Sequence, residues 1–384
     1  MRTTTAKSGA SSTAAALLTC LAGFCVMKMG SRRREIYAPI ALLLACQITY
    51  LLVQVAVHDV APLSDSLRWF ILWIFGMIIV QSLCLRPGFL FRCTIVLFAI
   101  GLIAVPHLGF EVDSVERARA DIDIGGGLQN ANGLAAWFGF CVVSFGMFAV
   151  DTKRRIIKRI LYGMAATVSL IIVGLTVSRG SLFGCAVALA VGYRRLLKRG
   201  FVPVLLLIIF AGVVFVSGWF DQIISGYEAR GTEETGRFLL WPYVVERILA
   251  SPFAGVGVSD ISTYIPERGQ SITTPHNSFL FFALSAGIVP FAFYLAFWIR
   301  TAWGSLFDVG QSEYSPFRIP LFLYALVAFF LADVSAEPWS ILTLVVAAGP
   351  ALSLGGERAL VKHKTRSRRL TPRLQYPSKA KSIQ

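Results

Sequence analysis

Charge is what this chain has least of. Only 15% of its 384 residues are charged, against 56% that are apolar, whereas soluble domains carry roughly 25% charged residues. With a mean hydropathy of +0.68 there is too little polar side chain to cover a water-facing surface, which excludes an ordinary soluble domain. Histidine is scarce, occurring only at His58, His107, His276 and His363. The seven cysteines, Cys20, Cys25, Cys46, Cys84, Cys93, Cys141 and Cys185, lie within or beside apolar runs, and no two have Cys-x-x-Cys spacing. That argues against structural zinc and against a disulfide framework, and the thiols read as small apolar packing groups. A Gly-Lys-Ser/Thr phosphate loop is absent, and Gly255-Val256-Gly257 lacks the further glycine and the strand-then-helix setting of a dinucleotide site. No cofactor is expected.

Acidic residues are also in the minority, 21 against 36 lysines and arginines, for a net charge of +15. Most of that excess is local: nine basic residues fall between Arg358 and Lys381, beside the single acid Glu357. A basic tail that directly follows an apolar run reads as a topology signal in contact with anionic membrane lipids, not as a nucleic-acid surface. Residues 355–384 are expected to be a disordered cytoplasmic tail behind one membrane domain, 1–354.

What the chain has in abundance is long apolar runs. Crossing the hydrocarbon core takes about 20 mostly apolar residues in a helix, and backbone polar groups in lipid must be satisfied within the element. Continuous runs favour helices over the alternating segments of a barrel. The expected fold is therefore all-α, a polytopic bundle of about eleven to twelve membrane helices with one large outer loop. Spans are expected near 13–29, 36–57, 68–85, 93–109, 131–150, 160–178, 180–193, 201–219, 277–299, 319–332 and 339–354. Basic clusters at Arg32 to Arg34, Arg86 with Arg92, Lys153 to Arg159, Arg194 to Arg199 and the tail mark cytoplasmic connections. The acid-bearing connections 58–67, 110–129, 221–276 and 333–338 then lie outside. Parity places the N-terminus outside, although Arg2, Lys7 and the apolar stretch from Ala14 to Val26 also resemble a leader. Cleavage is not expected, because Lys28 and Arg32 to Arg34 would be stranded on the translocated side. If 13–29 does not cross, both termini are inside.

The segment from Asp221 to His276 interrupts this pattern with four arginines, seven carboxylates and one histidine. It is too short for a core of its own and is expected to pack as short helices and loops over the bundle. Arg179 sits between two apolar runs in Thr176-Val177-Ser178-Arg179-Gly180-Ser181, with almost no loop. An arginine there either snorkels to the interface or is held between helices facing an anion. Arg237 and Trp241 share a face if their stretch is helical, pairing a guanidinium fork suited to phosphate with an indole suited to stacking; Glu233 and Glu234 lie close by in sequence. Arg230, Arg247 and Arg268 read as mostly solvated. His276 and Asn277 stand where the polar segment enters an apolar run, so that a helix N-terminus with free amides follows, and histidine is suited to proton transfer near neutrality. Asn130 and Asn132 open another run as an N-cap pair.

The Asn130 to Phe140 stretch, the Ser178-Arg179-Gly180 junction and the long loop ending in His276-Asn277 together resemble the O-antigen ligase and Wzy-type polysaccharide polymerase superfamily, over roughly residues 130–300. The resemblance implies a metal-independent glycosyltransferase of the bacterial inner membrane. It would move a glycan from undecaprenyl diphosphate to an acceptor hydroxyl at the periplasmic face, on lipid A core or on a growing polysaccharide. Arg179 and Arg237 match the family's phosphate-binding arginines and His276 its functional histidine, with Trp241, Asn277, Asn132 and Glu233 in supporting places. Twelve spans are usual in the family and eleven are read here. Glu233, Glu234 and Asp260 are substitutes or orienting partners for His276 as the base. The competing class is a transporter of a small anion or solute, but transporters place polar groups near the midplane of repeated halves, and here they gather at one face.

Overall fold

The computed structural model describes residues 38–83, 89–105, 108–113, 117–122, 131–151, 154–193, 237–307 and 317–331. Among the described residues the chain is mostly helical: α1 Ala38–Ala56, α2 Asp65–Leu83, α3 Phe89–Ala104, α4 Ala131–Val150, α5 Ile156–Leu175, α6 Arg179–Tyr193, α7 Arg237–Ala250, α8 Ser278–Ala286, α9 Ile288–Phe307 and α10 Arg318–Phe330. Two antiparallel hairpins add strands to the all-α expectation, β1 Leu108–Asp113 with β2 Arg117–Ile122, and β3 Thr263–Ile265 with β4 Gln270–Ile272. Both fall in connections read as outer, where backbone groups not enclosed by lipid can pair between strands. α1, α4 and α5 are each long and apolar enough to cross a membrane. The expected spans 13–29, 201–219 and 339–354 and the basic tail lie outside the described residues.

The bundle is organised around α4, buried from Gly133 to Val150, with α3, α5, α6 and α10 packed on it. Its glycines permit the close approach: a Cβ on Gly139 would fall on the Tyr324 hydroxyl, and one on Gly146 would meet Tyr193 at 3.0 Å. The Tyr324 hydroxyl donates to the Ala136 carbonyl (2.7 Å) and the Trp137 indole N–H to Leu97 O (3.0 Å), two buried polar groups satisfied across helices. Three of the cysteines, Cys46, Cys141 and Cys185, are buried in the same interior. α5, by contrast, is largely exposed on its apolar face, as a lipid-facing helix is.

Helix ends sort into two groups. At one end Arg154 stacks over Phe91, Phe148 and Tyr162 and pairs with Asp151, Phe148 meets Phe317, and a Cβ on Gly192 would reach Pro320. This is the basic end. At the other, the start of α4 meets the start of α6, and the end of α10 meets the starts of α6 and α8. The helices thus alternate in direction as the charges imply.

The expected span 277–299 is two helices. α8 stops at Gly287 (φ 75, ψ −163), where a Cβ would strike the Phe253 carbonyl. With nine residues α8 is about 13 Å long, far short of a crossing. Its start is tied to the end of α10 through Ser278 Oγ, which donates to Phe329 O (2.7 Å), and its last turn to the end of α1 through Gln54 Nε2, which donates to Ser285 O (2.7 Å). Helix α8 therefore lies across one end of the bundle while α9 runs on to Phe307. The sequence cannot show this break, because Ala286-Gly287-Ile288 is as apolar as its surroundings.

Candidate functional site

The α5–α6 link is the tightest part of the site. Thr176 caps α5, and its hydroxyl donates to Val173 O (2.7 Å). Val177 follows with φ 51 and is buried, a left-handed position that glycine ordinarily takes and that costs a β-branched residue about 1–2 kcal/mol. Ser178 then donates to Asn132 Oδ1 (3.2 Å), joining the start of α4 to Arg179, the first residue of α6. Next to it Gly180 lies against Leu331, where a Cβ would meet the Leu331 Cβ at 3.0 Å. Arg179 thus opens its helix after only three residues of connection, Thr176 to Ser178.

Arg237 opens α7. One turn later Trp241 donates its indole N–H to Pro275 O (3.0 Å) and sets its ring edge-on to Phe330 (5.5 Å between centroids). These two contacts dock the Arg237 turn on the segment that carries His276 and on the end of α10. His276 has φ 51, a conformation histidine tolerates better than most non-glycine residues, and its Nδ1 lies 3.4 Å from Thr274 Oγ1. Asn277 is buried and caps α8, its Oδ1 accepting from Phe279 N (2.9 Å) and Leu280 N (3.2 Å). The left-handed turn at His276 is what lets an extended strand enter α8 at this angle.

Through these contacts Asn132, Arg179, Arg237, Trp241, His276 and Asn277 gather at one end of the bundle. Four helices, α4, α6, α7 and α8, begin there, and none has an aspartate or glutamate in its first turn. Helix N-termini carry about half a positive charge each, and two of these helices add an arginine at the first position, where a cation is disfavoured. The arrangement concentrates positive potential, which an anion would offset. Glu233 and Glu234 lie outside the described residues. Asp260 does not join the group: its carboxylate and its carbonyl both face Arg247 Nη2, at 3.1 and 2.6 Å. Arg247 also reaches Ser262 O and Thr263 Oγ1, so it staples the outer loop instead of being solvated.

The outer segment is more ordered than its length implies. Leu240, Val244 and Ile265 form a small apolar cluster with Leu284 of α8; the loop lacks a full core and uses α8 as its floor. Three contacts went unread in the sequence. Gln54 bridges α1, α8 and the loop by also accepting from Val258 N (2.8 Å), His58 Nε2 donates to Ala254 O (2.8 Å), and Val256 and Gly257 N–H donate to Leu284 O and Ser285 O. Gly255 (φ 68) and Gly257 (φ 83) exist for this approach, since a Cβ on the first would overlap the α8 backbone and on the second the His58 ring. Their partners lie as far as 231 residues away in sequence, so no local signal announces them.

A helical membrane bundle that carries a cationic, polar site at one end under an ordered loop defines the class. Residues 164–295 match the family model described as O-antigen ligase, a stretch that includes Arg179, Arg237 and His276, and the match supports the resemblance to the O-antigen ligase and Wzy-type superfamily. No curated protein matches the chain. The family match supports a membrane glycosyltransferase of the ligase and polymerase type.

Proposed function

We propose that the chain transfers a glycan from undecaprenyl diphosphate to an acceptor hydroxyl at the outer face of the bacterial inner membrane, either as a ligase onto lipid A core or as a polymerase extending an O-antigen or exopolysaccharide. The observation that carries this reading is that four helix starts with no acid in the first turn, two of them opened by Arg179 and Arg237, lie at the same end of the bundle as the His276 turn. A departing lipid diphosphate gains negative charge as the anomeric bond breaks. Fixed guanidinium groups and amides aimed at it stabilise that charge without having to reorganise, in the role a divalent cation would otherwise fill. The acceptor hydroxyl loses its proton to His276. A neutral imidazole keeps a lone pair on one ring nitrogen, which serves as the base. Direct in-line attack inverts the anomeric centre.

The test is glycan transfer in a deletion strain complemented with wild type, Arg179→Ala, Arg237→Ala or His276→Ala, with membrane levels checked by immunoblot. Each arginine variant is expected to lose about 100-fold or more, the usual cost of removing one preorganised charge-stabilising group, and His276→Ala about 100- to 10,000-fold. Wild-type product from all three would remove the site and bring the transporter reading forward. Loss of all capped polymer identifies a ligase; a single capped repeat identifies a polymerase.

A further inference from the structure

The outer loop carries an apolar surface that the site does not use. Phe253 is 81% exposed and Leu249, one turn back at the end of α7, is 72% exposed, the two most exposed large apolar side chains of a segment whose Leu240, Val244 and Ile265 are packed into the cluster on α8. Exposed side chains of this size in a water-facing loop are uncommon unless they contact something. What they adjoin is on the same page of the fold. Pro252 O accepts from Ile288 N (2.8 Å), and the Phe253 backbone abuts Gly287, so the turn sits on the first residues of α9. From there α9 exposes Ile288, Val289, Leu295, Ile299 and Trp303 at helical spacing along its length. A membrane helix presents such a stripe to lipid. Phe253 and Leu249 extend it past the helix end and onto the loop.

We propose that the Leu249–Phe253 turn is a membrane-docking surface, inserted into the acyl chains just beneath the headgroups of the leaflet on the site side. The occupant is phospholipid. An aromatic ring at that depth is the usual interfacial anchor, and an amphipathic helix at an interface lies in its plane, the placement proposed for α7. The consequence for the proposed reaction is positional: a loop seated in the leaflet holds Arg237, one end of α7, at the level where a lipid diphosphate presents its headgroup. This part rests on the transferase reading; the docking itself does not.

The experiment uses the full chain with Phe253→Cys, Leu249→Cys or, on the β3–β4 hairpin, Ser271→Cys. Each is labelled with bimane, with labelled wild type as the background, and reconstituted into phosphatidylcholine–phosphatidylglycerol vesicles. Part of the phosphatidylcholine carries bromine near the headgroup end of its acyl chains. Labels at 253 and 249 are expected to shift blue and to lose emission in brominated vesicles but not with aqueous iodide, and the label at 271 to respond to iodide alone. Quenching of 253 and 249 by iodide alone would show a water-facing loop and overturn the proposal. Quenching by neither would show that another protein segment covers the patch, which overturns it equally. Because no donor is needed, the outcome is independent of whether the protein transfers glycan.

Discussion

Two non-glycine residues at the candidate site, Val177 and His276, hold positive φ; the first stands two residues before Arg179 and the second is itself the proposed base. At Val177 the strain shortens the α5–α6 link so that Arg179 begins a helix with no loop to relax into. At His276 it aims the capping turn, and asparagine tolerates this backbone as well as histidine does. His276→Asn should therefore match wild type in thermal midpoint while losing transfer, whereas His276→Val should lose both, at about 1–3 kcal/mol of strain; parallel melts in detergent and transfer assays check this. A second residue-scale expectation concerns the outer loop. The Tyr243 hydroxyl donates to Glu267, which holds the Glu267 carboxyl below its ordinary range and Tyr243 above its own. A depressed carboxyl stabilises above its unfolded pKa and loses that contribution as pH falls through the folded value; a raised phenol stabilises below its unfolded pKa and loses it as pH rises. The pair's contribution should thus be constant between about pH 4.3 and 10 and fade on both sides. Hydrogen exchange of the β3–β4 hairpin should show this, and Tyr243→Phe should flatten the acid limb.

At the scale of elements, α8 decides the architecture. A nine-residue helix across the end of a bundle has few turns with which to hold itself, and it is kept by its cap and by ties at both ends. Gln54 is the tie on the α1 side and is fully buried. Replacing it with leucine leaves Ser285 O and Val258 N without that partner, an expected loss of about 2–3 kcal/mol measured by thermal unfolding. Transfer should fall further than the fold does, because the loop that carries Arg237 rests on α8. The loop motif Ser251 to Gly257 has its explanation here too: Gly255 lets backbone lie on backbone and Gly257 makes room for the His58 ring.

For the whole molecule, the contacts sort helix ends into a basic group and a site group, the same division that lysine and arginine placement implies. Reporter fusions are expected to place the 308–316 connection inside and the β3–β4 hairpin outside; the reverse would invert the topology and with it the face at which transfer occurs. The sequence by itself determined what depends on composition and periodicity: a helical membrane chain and most of the described span positions. It also offered Arg179, Arg237 and His276 as candidates, because a charge beside an apolar run is conspicuous wherever it falls, and the transfer assay decides their role. The sequence also showed that Arg179 had no room for a loop. Only the tertiary structure decided that 277–299 is broken and laid across the bundle, that Asp260 belongs to Arg247, and that Gln54 and His58 of α1 hold the loop in place. Those features are set by hydrogen bonds between residues up to 231 positions apart and by where two backbones touch, and neither leaves a mark on local hydropathy or charge.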